Sequence, residues 1–198
     1  MKDEYLKKGR VKQKQETREK ILSCTQELMN YGKKFTLEEV AKKAGVSRAT
    51  IYRYYSNIEI LSAEAGIDIK TKSPKTIYEG LQGLEIKDKI LAVQEYYNDL
   101  AIDNENAFRN YLSIVLTSDS QLHKRGARRT KTLKMVLEET NLTKKERENL
   151  QNLLTVLMGI ESLIVTKDVC GLNNEQSKKL LKWGMEVLLK GISIALRK

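Results

Sequence analysis

In 198 residues the sequence holds one histidine, one proline, two cysteines, one tryptophan and two phenylalanines. Each scarcity excludes something. A single histidine, His123, argues against a catalytic triad and against a histidine-built metal site. Cys24 and Cys170 lie far apart, each among apolar residues, and lack metal-ligand spacing. They read as reduced core thiols rather than a disulfide. With only Pro74 to interrupt them, long helices are expected. No G-x-x-x-x-G-K-S/T or G-x-G-x-x-G run is present to cradle phosphates. No apolar run reaches the length needed to cross a bilayer. Residues 1–20 are charged throughout and lack the apolar stretch of a secretory leader. The expectations are therefore no cofactor, no metal, no enzymatic activity, no membrane partner and a cytoplasmic location.

What is abundant is positive charge. Lysine and arginine number 36 against 26 acidic residues, a formal net charge of +10. Residues 1–57 hold 14 Lys and Arg against 7 Asp and Glu, while residues 58–198 hold 22 against 19. The excess is concentrated at the N-terminal end, which suits a polyanionic partner. Residues 1–15, MKDEYLKKGRVKQKQ, read as a basic, partly disordered arm.

The stretch TLEEVAKKAGVSRATIYRYYSNIEIL, Thr36 to Leu61, reads as two short helices joined by a tight turn. Thr36 is an N-cap, and Glu39 completes a capping box. Leu37, Val40, Ala41 and Ala44 share one face at helical spacing. Gly45 stops the helix, since a left-handed residue there costs glycine little. Val46 packs into the turn. Ser47 caps a second helix from Arg48 to Tyr54, anchored inward by Ile51. Small, glycine, apolar and apolar residues at Ala41, Gly45, Val46 and Ile51 frame a helix-turn-helix.

This segment closely resembles the TetR family of transcriptional regulators. The matching residues are Thr36, Leu37, Val40, Ala41, Ala44, Gly45, Val46, Ser47, Thr50, Ile51, Tyr52, Tyr54, Tyr55, Glu59 and Leu61, with Thr17–Leu22 fitting the preceding helix. The chain departs from the family at Ile58, where a phosphate-binding lysine is usual. Backbone N–H groups at the start of that helix can still meet a phosphate. The resemblance implies an all-α protein. Residues 1–57 form a three-helix DNA-binding head, and residues 58–198 a helical body for effector binding and dimerisation. It implies double-stranded DNA, a second copy of the chain and an unidentified small-molecule effector as partners. The expected DNA contacts are Thr36, Ser47, Arg48, Ala49, Thr50, Tyr52, Arg53, Tyr54 and Asn57. Arg48 and Arg53 are the expected base readers, because guanidinium forks onto guanine. Tyr55 either positions the backbone or belongs to the core.

Helical patterning continues to the end of the chain. A first helix runs from about Thr17 to Tyr31, with Ile21, Leu22, Thr25, Leu28 and Met29 inward and Gly32 ending it. Ser56 and Glu59 read as a capping box opening a fourth helix to about Lys72, which Ser73-Pro74 breaks. Further helices are expected over 86–102, over 104–117 from an Asp103 cap, and over 119–140. Thr143 and Glu146 open a long helix to about Cys170. Asn173 or Asn174 opens the last, to about Leu196.

The resemblance implies that the last two helices pair with their twins in a four-helix interface. Leu157, Ile164, Gly184, Leu188 and Gly191 are the expected positions. Gly184 and Gly191 lie seven residues apart on one face, where a neighbouring helix can come close. For an effector pocket the candidates are Tyr97, Tyr111, His123, Met158 and Glu161, and a satisfied core residue is the competing reading of each. Glu161 either meets a cationic ligand or pairs with Arg128 or Arg129. The expected mechanism is a homodimeric repressor on a palindromic operator, released by a small hydrophobic or amphipathic molecule. An architectural DNA-binding protein without an effector is the alternative. A helical module that docks on an acidic protein or anionic membrane is a third reading.

Overall fold

The computed structural model describes residues 2–31, 34–117 and 127–192. His123 and Gly32 lie outside the described residues. Every regular element among those described is a helix. The chain packs as two compact units, which among the described residues are 2–70 with 109–117, and 71–108 with 127–192.

The first unit, the head, contains α1 (Lys2–Asn30), α2 (Leu37–Ala44), α3 (Arg48–Tyr54), α4 (Ile58–Lys70) and the later part of α7 (Glu105–Thr117). Helix α1 corrects the expectation of a disordered arm over 1–15. Those residues are mostly Lys, Glu, Gln, Leu and Arg, all good helix formers, with no proline among them. Thr17, near the expected start, instead donates its hydroxyl to Gln13 O at 2.8 Å, a back-bond of a helix interior. Ile21, Leu22 and Thr25 are buried from α1, and Leu37, Val40, Ala41, Ala44, Ile51, Tyr55, Ile60, Leu61 and Ala65 complete this core. Polar bonds tie α1 to α4. Arg18 Nη2 meets Glu64 Oε1 at 2.6 Å, and Gln26 Nε2 donates to Asp68 Oδ2 at 3.0 Å. By packing, α4 sides with the head, whereas the sequence boundary falls at residue 57. Its N-cap is Asn57, whose Oδ1 accepts from Ile60 N–H at 2.9 Å, and not Ser56. Asn57 sits directly before the first helical residue, so its shorter reach wins.

The second unit, the body, holds α5 (Pro74–Glu79), α6 (Ile86–Asp103), α8 (Arg128–Leu137), α9 (Lys144–Val156), α10 (Ile160–Ile164), a π-helical turn (Val165–Val169) and α11 (Asn174–Gly191). Pro74 starts a helix rather than only ending one. Ser73 Oγ accepts from Thr76 N–H at 3.1 Å, and proline suits the first helical position, where an N–H has no partner in any case. Asp103 is the last residue of α6 and not a cap; Asn104 separates it from α7. Helix α6 runs through the body core, where Ile90, Val93 and Tyr97 meet Leu133, Val136, Leu137, Leu154, Met158, Met185 and Leu189.

The single long helix expected from Thr143 to Cys170 is broken. The capping box at Thr143 and Glu146 forms, but α9 stops at Val156. Gly159 then adopts φ 84°, ψ −166°, a conformation open to little but glycine. Side chains from distant elements satisfy the backbone groups that the break exposes. Gln94 Nε2 donates to Leu157 O at 2.9 Å and to Leu181 O at 2.8 Å. Asn98 Oδ1 accepts from Gly159 N–H at 2.8 Å, and Arg129 Nη1 donates to Met158 O. Cys170, expected in the core, is exposed just beyond the π-helical turn, while Cys24 is half-buried against the head core. Among the described residues no single helix is long and apolar enough to cross a membrane; only α9 and Ile160–Val169 together pass on length and composition, bent by 44°.

Candidate nucleic-acid interface

The turn between α2 and α3 is made locally. Thr36 Oγ1 accepts from Glu39 N–H at 3.3 Å while Glu39 Oε2 accepts from Thr36 N–H at 2.8 Å. Gly45 takes φ 61°, and Val46 N–H reaches back to Ala41 O at 3.0 Å. Ser47 Oγ then accepts from Thr50 N–H at 3.0 Å and opens α3. Only Ile51 of α3 is buried, and Tyr55 at its end is enclosed in the head core, which settles its place there. Burial pushes the Tyr55 phenol well above its usual range, so it stays neutral.

With Ile51 inward, the rest of α3 faces outward. Ser47, Arg48, Ala49, Tyr52 and Arg53 are exposed; Thr50 and Tyr54 are half-buried. Two guanidiniums project from a helix whose first turn has no acidic residue of its own. Arg48 lies 5.6 Å over the Tyr52 ring and Arg53 5.9 Å over Tyr54. Such stacking holds each planar guanidinium in a restricted arc. A concave surface of about 640 Å³ runs alongside, lined by Lys14, Thr17, Gly45, Ser47, Thr50, Arg53 and Tyr54 among others. Tyr54 closes it from one side by donating its hydroxyl to Lys14 O at 3.1 Å. Thr36 is exposed at the start of α2 and Asn57 half-buried at the start of α4, so both helices open toward solvent with their N–H groups.

An exposed, arginine-bearing second helix on a short glycine turn is the geometry of a helix-turn-helix. The segment matches the family described as bacterial regulatory proteins, tetR family, over residues 32–65. Residues 32–65 carry the DNA-binding segment of the TetR-family transcriptional regulators. No curated protein matches the chain. The match spans α2, α3 and the first half of α4, so the DNA-binding assignment rests on the head.

Sequence reading missed three residues of this TetR head. Glu38, on α2, accepts from the Tyr52 hydroxyl at 2.8 Å and meets Arg48 Nε at 3.2 Å. The Tyr52 hydroxyl, a backbone N–H and then Arg48 hold its carboxyl below the usual range, so it is ionised at neutral pH. Two of the expected DNA contacts are thus organised by one carboxylate. Its acidic position in the first turn of α2 resembles ordinary helix-dipole placement, which is why the pattern alone did not single it out. Lys14 and Thr17 lie one turn apart on α1, and only the continuity of that helix brings them beside α3. Ile58 is half-buried against the head core, consistent with an apolar residue where the family usually has lysine.

The other candidates are dispersed. Tyr97 is buried in the body, its phenol pushed up to about 12 chiefly by burial, and it shares a 2.9 Å hydrogen bond with the Thr132 hydroxyl. Met158 is fully buried. Glu161 pairs with Arg129 at 2.8 Å, the partner expected for it. Tyr111 belongs to the head unit. The structure thus gathers Tyr97, Met158 and Glu161 into one unit and leaves Tyr111 in the other.

Of the expected interface positions, Leu157 and Leu188 lean on the body core, and Ile164 is half-buried. Gly184 and Gly191 have open space where a Cβ would stand, so packing within the body does not require glycine at either. From α9 to α11 the exposed large apolar side chains are instead Leu153, Val156, Val165, Val169, Leu180, Trp183 and Val187.

Proposed function

We propose that the protein is a homodimeric repressor that acts in the cytoplasm and is released from a roughly palindromic operator by a small effector bound in the body. Each protomer sets α3 in the major groove, with Arg48 and Arg53 reading bases and Ser47, Thr50, Tyr52 and Tyr54 positioning the backbone. The starts of α2 and α4, at Thr36 and Asn57, offer N–H groups to phosphates. Two-fold symmetry places the half-sites about one helical turn apart, near 34 Å. An effector acts by favouring a body conformation in which the two readers no longer match that spacing.

The observation that carries the dimer is the apolar flank of α11 left exposed among the described residues. Leu180, Val187, Gly184 and Gly191 share it, with Trp183 62% exposed beside them. Val156 and Val169 are 67% and 78% exposed in the preceding elements. Apolar surface of this kind on a regulator marks an interface, and a glycine every seven residues lets a twin helix come close.

Sedimentation and duplex binding test the reading together. The wild type sediments as a dimer and prefers a duplex selected from random sequence. Gly184→Leu sediments as a monomer, loses that preference and keeps weak, salt-sensitive binding to any duplex. An intact dimer in both Gly184→Leu and Gly191→Leu counts against a close-packed seam there. Equal affinity of the wild type for selected and random duplexes makes it an architectural DNA binder instead.

A further inference from the structure

On the other flank of α11 from the apolar stripe, a groove of about 450 Å³ lies against α6. Its lining includes Leu91, Gln94, Asn98, Asp103, Lys178 and Lys182. Gln94 and Asn98, one turn apart on α6, are 2% and 3% exposed. Each carboxamide is pinned by one end. The Gln94 nitrogen sits between the carbonyls of Leu157 and Leu181, so that end must be the NH2 and the oxygen is turned away from them. The Asn98 oxygen faces the Gly159 N–H, so its NH2 is turned away in the same manner. Among the described residues neither the Gln94 oxygen nor the Asn98 nitrogen has a hydrogen-bond partner. An acceptor and a donor, carried by two nearly buried side chains, thus stand about 6 Å apart along the helix and face one open groove, where solvent or a ligand can meet them.

The charges around them are arranged along the groove. Asp103 and Asn174 lie toward one end, Leu91 and Lys182 toward the other. Lys178 is ion-paired with Asp99 across the middle, which holds α6 and α11 together. Asp103 and Lys182 have no ion pair among the described residues.

We propose that this groove binds a short peptide with free termini. In an extended tripeptide the C=O of the first residue and the N–H of the third face the same side, so the first can accept from the Asn98 nitrogen and the second can donate to the Gln94 oxygen. The ammonium terminus meets Asp103, and the carboxylate terminus meets Lys182. Leu91 and Ile102 supply apolar wall for small side chains. The groove follows α6 for about 18 Å from Leu91 to Asp103; an extended tripeptide spans about 10 Å, and the flexible four-carbon stem of Lys182 reaches inward to its carboxylate. The regulatory meaning of the site rests on the effector-released reading above; the site itself does not.

The test uses the full-length protein and trialanine, followed by calorimetry and by backbone NMR. Trialanine binds saturably and shifts resonances of α6 and α11. N-acetyl-trialanine amide, which lacks both charges, binds about tenfold more weakly or not at all, as expected for losing hydrogen bonds to charged groups. Lys182→Glu and Asp103→Lys, both surface changes, each weaken trialanine about tenfold without altering the melting temperature. Asn98→Asp keeps the acceptor for Gly159 and removes the donor, and it abolishes binding. No saturable binding at millimolar trialanine overturns the proposal, as does equal affinity for the blocked peptide or indifference to both surface variants. Operator binding measured alongside separates the two readings. Trialanine that binds with this variant pattern but leaves operator affinity unchanged keeps the groove and removes it as the effector site. Operator release by another molecule, with no trialanine binding, keeps the effector reading and overturns the groove.

Discussion

The turns of the head and the break in the middle of the body are made with different partners. In the head, the residues that bend the chain are three positions from the groups they satisfy: Thr36 with Glu39, Ser47 with Thr50, Asn57 with Ile60. In the body, the break after Val156 is held by side chains 29 to 63 positions away, through Gln94 to Leu157, Asn98 to Gly159 and Arg129 to Met158. The two glycines show the same contrast. Gly45 sits at φ 61°, a left-handed cap with only the flexible end of Lys20 near the position of a Cβ. Gly159 sits at φ 84° with the Arg129 guanidinium 2.6 Å from where a Cβ would stand. A local device tolerates substitution one bond at a time. A non-local one fails as a unit, because the partner groups are buried and have no water to turn to.

The sharpest way to break this comparison is to exchange the glycines for alanine. Gly159→Ala destabilises by about 3–5 kcal/mol, from backbone strain plus the displacement of Arg129. Gly45→Ala costs about 1–2 kcal/mol, the left-handed penalty alone. Urea unfolding of the two variants checks the difference, and equal losses dissolve the contrast. Next in size is Gln94→Leu. It leaves the carbonyls of Leu157 and Leu181 buried without that donor and lowers stability by about 3 kcal/mol. Calorimetric unfolding of this variant should show the loss, and a change below about 1 kcal/mol means that the carbonyls find other donors.

The remaining two predictions concern the head. Arg48→Ala and Arg53→Ala each weaken binding to a selected duplex by about 1–3 kcal/mol per contact and relax base preference, with the melting temperature unchanged. Fluorescence anisotropy on selected and random duplexes reads this. Identical losses on both would assign the two arginines to phosphates. Smallest is Ser47→Ala, which removes the α3 cap and costs about 1 kcal/mol of stability. Its signature is increased amide exchange confined to the first turn of α3, and exchange spread through the head means that the cap matters beyond its own helix.

The sequence by itself determined α2, α3 and the turn between them almost to the residue. Helix α3 spans Arg48–Tyr54 as its cap and inward Ile51 imply, and Thr36 with Glu39 and Gly45 bound α2 as read. Those signals are local, so one stretch of chain carries both the device and the group it satisfies. The continuity of α1 was legible in composition but was overridden by the charge reading of residues 1–15. Tertiary structure alone decided the break at Gly159, where periodicity runs on unbroken and the deciding donors sit on α6 and α8. It also decided that Glu38 holds Arg48 and Tyr52, that Tyr97 and Met158 are core, and that the exposed apolar flank of α11 runs through Leu180, Trp183 and Val187 rather than Leu188. The physical reason is common to all of these. Helical spacing tells which residues share a face, but burial belongs to whichever face another element covers, and that is settled only when distant helices meet.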